Sequence, residues 1–230
     1  MKTLGMIGGI GPESTIDYYR HIIAAYRNQK PDGSYPPLII NSIDAKKMID
    51  LITANALSEV TQYLTTELHR LSRAGADFGL VAANTPHVVF DDLRRQSPVP
   101  LLSIVECTCR FAQTLGLKKV GLFGTRFTMQ GRFYPDVFSR EGIALAVPDA
   151  RDQEYIHDKY MSELFTGSFL PETREGLLAI VDRMKTGGIQ GLILVGTELP
   201  LILRDDGGRG IPFLDTTRIH AEAAVAEMLA

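Results

Sequence analysis

Apolar residues recur along this chain in two alternating rhythms. Short, nearly continuous runs at 3–8, 38–43, 78–82, 101–105, 119–123, 144–147, 192–195 and 213–214 have the length and aliphatic content of strands buried on both faces. Between them the period lengthens. Residues 55–75 place Leu57, Val60, Leu64, Leu68 and Leu71 at helical spacings, with Gly75 as the stop. A further helix is expected to open at Pro12 and to turn Ile16, Tyr19, Ile22 and Ile23 to one side. Others are expected over 86–95, 128–140, 153–165, 171–185 and 218–230. Strand and helix in regular alternation predict an α/β fold with parallel sheets.

The rhythm restarts near the middle. Gly5-Met6-Ile7-Gly8 is answered by Gly121-Leu122-Phe123-Gly124, Asn84-Thr85 by Gly196-Thr197, and Leu101-Leu102-Ser103 by Phe213-Leu214-Asp215. These landmarks share a spacing of about 112 to 116 residues, which indicates an internal duplication. The expected architecture is therefore two pseudo-symmetric α/β lobes, each a parallel sheet flanked by helices. One lobe would span 1–103 plus 217–230 and the other 104–216, with the active-site cleft between them, because ligand pockets favour such boundaries.

Composition narrows the function classes. The 230 residues are 45% hydrophobic and 22% charged, enough apolar matter for a sizeable core. A net charge of -3 offers no surplus of Lys and Arg for neutralising phosphates, so a nucleic-acid partner is not expected. The chain enters a strand at once, and its longest apolar passage, 191–203, is broken by Thr197, Glu198 and Pro200. That passage is too short to span a bilayer, so no membrane association and a cytoplasmic location are expected. Cys107 and Cys109 lie two residues apart in a helix, where side chains diverge; they read as small buried thiols rather than a disulfide or a zinc site. No metal site is expected.

Candidate chemistry gathers where strands end in loops, the place at which open α/β sheets bind ligands. Gly8-Gly9-Ile10-Gly11 follows a strand and opens a helix, but Ser14 stands where a dinucleotide fingerprint needs glycine. Its amides, at Gly9 and Gly11, suit a carboxylate; a turn that needs glycine only for steric reasons is the other reading. Asn84, Thr85 and Thr197 place polar groups at two strand ends, where the threonines would also cap the next helices. Thr125 and Thr128 form a third polar turn, with Arg126 between them. His87 and His220 are the histidines nearest these loops, each able to move a proton or to serve as a hydrogen-bonded structural ring.

As an ordered set these motifs resemble the aspartate/glutamate racemase family, amino-acid racemases that work without pyridoxal phosphate. The resemblance runs through Gly5-Met6-Ile7-Gly8-Gly9-Ile10-Gly11-Pro12-Glu13-Ser14-Thr15, Asn41-Ser42-Ile43-Asp44, Asn84-Thr85-Pro86-His87, Gly124-Thr125-Arg126-Phe127-Thr128, Gly196-Thr197-Glu198-Leu199-Pro200 and Phe213-Leu214-Asp215-Thr216. It implies no cofactor, a homodimer, and an acidic amino acid or related dicarboxylate as the small-molecule partner. It also implies two cysteines, one for each face of the substrate's α-carbon. The positions that match them hold Ala83 and Gly196. Ordinary two-thiol racemisation is therefore not expected. His87 or Glu198 would be the substitute proton carrier in an isomerase, and a binding protein for the same ligands is the alternative. Substrate contacts are expected from Gly9, Gly11, Asp44, Lys46, Asn84, Thr85, Thr125, Thr128 and Thr197. Some members specific for aspartate carry a basic residue near the position of Phe165, and Lys46 and Lys47 are the residues that could supply charge here instead.

Overall fold

The computed structural model describes residues 1–230 and divides into two compact units, Met1–Cys107 with Thr217–Ala230, and Thr108–Thr216. In the first unit, strands β1 (Leu4–Gly8), β2 (Leu38–Ser42), β3 (Phe78–Val81) and β4 (Leu101–Leu102) form a parallel sheet in the order β2-β1-β3-β4. The register sets Leu4 beside Phe78, Ile7 beside Val81, and Gly8 beside Ser42. Every residue of β1 and β3 is buried, as central strands covered on both faces must be, whereas β2 is an edge strand and stays partly exposed. This accounts for the uninterrupted apolar runs at the two central positions.

Helix α1 (Pro12–Gln29) follows β1, and α2 (Ala45–Thr53) and α3 (Leu57–Arg73) follow β2. The stripe read in the sequence is what α3 buries: Val60, Leu64, Leu68 and Leu71 pack with Ile7, Val81, Val89 and Leu93 in one core cluster. Each such side chain removed from water contributes about 1.5 to 3 kcal/mol. On the same helix buried Glu67 accepts from Asn41 Nδ2 at 2.7 Å and from Arg70 at 2.8 Å, so its charge is partnered where burial would otherwise be costly.

Several local expectations are corrected. Helix α1 buries Tyr18, Ile22 and Tyr26 and leaves Ile16 and Tyr19 exposed, because two overlapping apolar stripes run along it and packing selects one. Helix α2 went unread; Asp44 caps it, accepting from the backbone N–H groups of Lys46 and Lys47. The strand expected over 101–105 is only Leu101–Leu102, since α5 (Ile104–Thr114) begins almost at once. The helix expected over 86–95 is a 3-10 turn, Thr85–Val89, followed by α4 (Phe90–Gln96). Cys107 and Cys109 on α5 are buried and form no disulfide.

The second unit repeats the plan. Strands β5 (Lys119–Phe123), β6 (Ala144–Ala146), β7 (Gly191–Leu194) and β8 (Phe213–Asp215) are parallel in the order β6-β5-β7-β8. The strands paired in the sequence by the repeat, β1 with β5, β3 with β7 and β4 with β8, hold the same places in their sheets. Helices α6 (Arg126–Gln130), α7 (Phe133–Arg140), α8 (Ala150–Ser162), α9 (Pro171–Thr186) and the short α10 (Leu199–Ile202) flank this sheet. The helix expected over 128–140 is interrupted at Gly131, which separates α6 from α7. Ile156, Tyr160, Leu177, Val181, Leu192 and Leu194 belong to the unit's core cluster. The final helix, α11 (Thr216–Leu229), packs within the first unit from Thr217 onward. No helix is long and apolar enough to cross a membrane.

Candidate functional site

In each sheet the chain runs outward from a central strand on one side and then returns to the other, so the switch lies between β1 and β3 and, in the repeat, between β5 and β7. Open α/β sheets bind ligands at the carboxyl ends of such strands. The loops found there are the ones singled out by sequence: Gly9 to Gly11 beside Ala83 to Thr85, and Gly124 to Thr128 beside Val195 to Glu198.

In the first unit the glycine loop and the Ala83 loop are tied together. Ser14 Oγ donates to the carbonyl of Ala82 at 3.1 Å. Gly9 has φ +82°, and a Cβ there would stand 2.6 Å from the Ile43 carbonyl oxygen, so glycine is required by space as well as conformation. Its N–H donates to Thr15 Oγ1 at 2.8 Å, which removes it from the expected role of receiving a carboxylate. Gly11, also at positive φ, precedes α1 and makes no side-chain cap. Ala83, Asn84 and Thr85 are half-buried at the loop. Thr85 does not cap the following turn through its side chain, contrary to the expectation.

Asp44 and Lys46 are occupied elsewhere. The Asp44 carboxylate caps α2, and Lys46 Nζ pairs with Asp50 at 2.6 Å across one helical turn on an exposed surface. Lys47 lies over the Tyr63 ring at 4.3 Å.

His87 is corrected from a proton carrier to a structural ring. A carbonyl can only accept and a backbone amide only donate, so the Ala83 carbonyl at 3.0 Å and the Ile104 N–H at 3.2 Å fix the neutral tautomer. Nδ1–H donates to Ala83, and Nε2 accepts from Ile104. The ring stacks on Phe90 at 4.8 Å between centroids. Burial, the dominant cause, lowers its pKa from 6.5 to about 4, so the ring stays uncharged near neutral pH. His220 is likewise enclosed: Nε2–H donates to the Leu102 carbonyl at 3.1 Å, and Nδ1 lies 2.8 Å from the Tyr18 hydroxyl.

In the second unit Thr125 and Thr128 touch through their hydroxyls at 3.3 Å, Thr128 being buried against Gly124. The Arg126 N–H donates to His157 Nδ1 at 3.3 Å, while the Arg126 side chain is exposed. Thr197 is buried and precedes α10 without a side-chain cap, Glu198 being the residue at that helix boundary. The position expected to lack a group is not empty space. Gly196 sits at φ +111°, and a Cβ built there would run into the Tyr160 hydroxyl. That hydroxyl donates to Glu198 Oε2. Burial, with the Glu198 charge next, pushes the Tyr160 pKa well above the usual tyrosine range. Sequence reasoning missed Tyr160 because nothing in its helical neighbourhood marks it; only the fold brings it to Gly196.

Phe165, in the 3-10 turn Leu164–Thr166, is exposed. No group of three or more His, Cys, Asp or Glu side chains is placed to hold a metal ion.

A parallel four-stranded plan used twice, with polar loops at the carboxyl ends of its central strands, defines an α/β protein with a duplicated sheet. More specifically, the chain belongs to the Asp/Glu/Hydantoin racemase family, whose sequence profile matches residues 7–224. It is 33% identical to a candidate Asp/Glu racemase from Yersinia pestis, over 100% of both chains with a TM-score of 0.95. It is equally 33% identical to an aspartate racemase homologue from Pyrococcus horikoshii OT3, over 100% of both chains with a TM-score of 0.90. Broad specificity amino-acid racemase RacX of Bacillus subtilis (strain 168) is 25% identical over 241 residues, 99% of this chain and 98% of that protein.

Proposed function

We propose that this protein performs cofactor-independent proton transfer at the α-carbon of an acidic amino acid or a related dicarboxylate. The observation that carries the reading is the matched pair of strand-end loops at Ala83 and Gly196, at equivalent places in the two sheets of a racemase-family chain. Gly11, Asn84 and Thr85 from one loop set, and Thr125, Thr128 and Thr197 from the other, are the groups assigned to substrate. Gly9 and His87 shape those loops instead, while Asp44 caps α2 and Lys46 pairs with Asp50. In this reading the protein works as a cytoplasmic homodimer without nucleic acid or membrane.

The reaction cannot be the two-thiol racemisation that the resemblance implies, because neither Ala83 nor Gly196 bears a proton-transferring group. Positioned acid and base groups contribute about 10²- to 10⁴-fold each. A second reading, ligand binding without turnover, is favoured by that same loss of both thiols. Incubation of the purified protein in D₂O with each enantiomer of aspartate and glutamate, followed by NMR of the α-proton, separates the two. Loss of α-proton signal above a protein-free control is expected. Complete retention, together with a ligand-induced rise in melting temperature, would leave only the binding reading.

A further inference from the structure

We infer that Tyr160 and Glu198 form a built-in proton-transfer pair, hydroxyl hydrogen-bonded to carboxylate, that stands at the position of the absent side chain of residue 196. This rests on the proposed α-proton chemistry and assigns residues to it. Three observations converge. The Tyr160 hydroxyl occupies the volume into which any side chain at 196 would extend, so a polar oxygen stands where residue 196 contributes nothing. The same hydroxyl donates to Glu198 Oε2 on the loop that follows β7, at the strand end where this fold takes its ligands. Tyr160 itself is only 6% exposed, its ring is part of the apolar core of its unit, and its position on α8 is therefore fixed by packing rather than by surface chance.

The chemistry follows from the direction of that hydrogen bond. A resting phenolate is unavailable, because burial and the neighbouring carboxylate both oppose it. The hydroxyl works as a bridge. Its oxygen accepts the substrate's α-proton through a lone pair while its own proton passes to Glu198. The C–H electron pair stays on the α-carbon and delocalises into the adjacent substrate carboxylate. Reversal returns a proton from Glu198 through Tyr160 to the same face. No other reactant is consumed, and in D₂O the returning proton is replaced by deuterium. Inversion needs a second carrier on the other face of the α-carbon, and this pair delivers its proton to one face only. The α-hydrogen should therefore exchange with solvent while configuration is retained.

The glycine at 196 is part of the same device. A side chain there would meet the Tyr160 hydroxyl, so the hydroxyl's position requires glycine at 196.

The test compares wild type, Tyr160→Phe and Glu198→Gln, each incubated in D₂O with the four enantiomers of aspartate and glutamate. Exchange is read by NMR, configuration by chiral chromatography, and binding by the ligand-induced shift in melting temperature. Phenylalanine keeps the ring and its packing, and glutamine keeps an acceptor for the hydroxyl but takes up no proton. The expected result is exchange with retained configuration in the wild type and a loss of about 10²- to 10⁴-fold in both variants. KM and the melting shift should stay near wild type, which a merely structural role would not predict. Exchange that persists in Tyr160→Phe and Glu198→Gln, or inversion by the wild type, overturns the assignment and leaves the proposed function standing. A wild type that exchanges none of the four overturns the α-proton reading, and this pair's role with it.

Discussion

Replacing His87 with glutamine tests whether that ring is a structural element rather than a proton carrier. Burial holds the folded-state pKa at about 4, against 6.5 for the free side chain, so the folded protein keeps the ring neutral and the unfolded chain protonates first as pH falls. The depressed folded-state value means that the contribution is fully present above about pH 6.5 and is lost on the way down to about pH 4. The total is about 3 kcal/mol, of which about 2 kcal/mol is gone by about pH 5. His220, whose ring centroid lies 6.4 Å away, and Arg94, whose charge also lowers the His87 pKa, are unchanged by the substitution. Glutamine retains an acceptor for the Ile104 N–H but leaves the Ala83 carbonyl without its donor, a cost of about 1 to 3 kcal/mol at neutral pH. Urea denaturation at a series of pH values should show the variant weaker than wild type near neutrality and less sensitive to acid. The α-proton exchange of the variant, measured in the same samples, should match wild type. Parallel loss of stability with pH in the two proteins would refute the assignment of a neutral buried ring. A selective loss of exchange would return His87 to the chemistry.

Other expectations follow from single contacts. Gly196→Cys should not restore a racemase thiol; the Tyr160 hydroxyl and the φ of +111° should together cost about 2 to 5 kcal/mol in chemical denaturation, part of it recovered when Tyr160→Phe is added. Gly9→Ala should lower stability by about 1 to 3 kcal/mol, because its Cβ meets the Ile43 carbonyl oxygen at 2.6 Å, and a variant as stable as wild type would show that the loop relaxes freely. Asp44→Ala should cost about 1 kcal/mol through loss of the α2 cap while leaving the dicarboxylate-induced melting shift intact; disappearance of that shift would make Asp44 a ligand contact.

Much of the scaffold was legible because its signals are local. A parallel strand covered on both faces needs an unbroken apolar run, and β1, β3, β5 and β7 each have one. The stripe of α3 repeats at the helical period, so its buried face could be read directly. Where two stripes overlap, as on α1, local pattern could not choose between them, and the surrounding core selected Tyr18, Ile22 and Tyr26. Helix α2 is harder to read, because its nine residues span only about two to three turns and its start is marked by a single capping residue, Asp44.

By itself the sequence determined the α/β alternation, the repeated order of landmarks, the loops that end the central strands, and the lack of a thiol at residues 83 and 196. These follow from periodicity and from residue identity. Only the tertiary structure decided which polar groups at those loops are free to act. His87 is consumed by an amide from Ile104 and a carbonyl from Ala83, while Tyr160 is carried by α8 into the space beside Gly196 and hydrogen-bonded to Glu198. Excluded volume and hydrogen-bond satisfaction belong to groups that meet only when the chain is packed. Residue spacing along the chain therefore located the loops, and long-range contact assigned their chemistry.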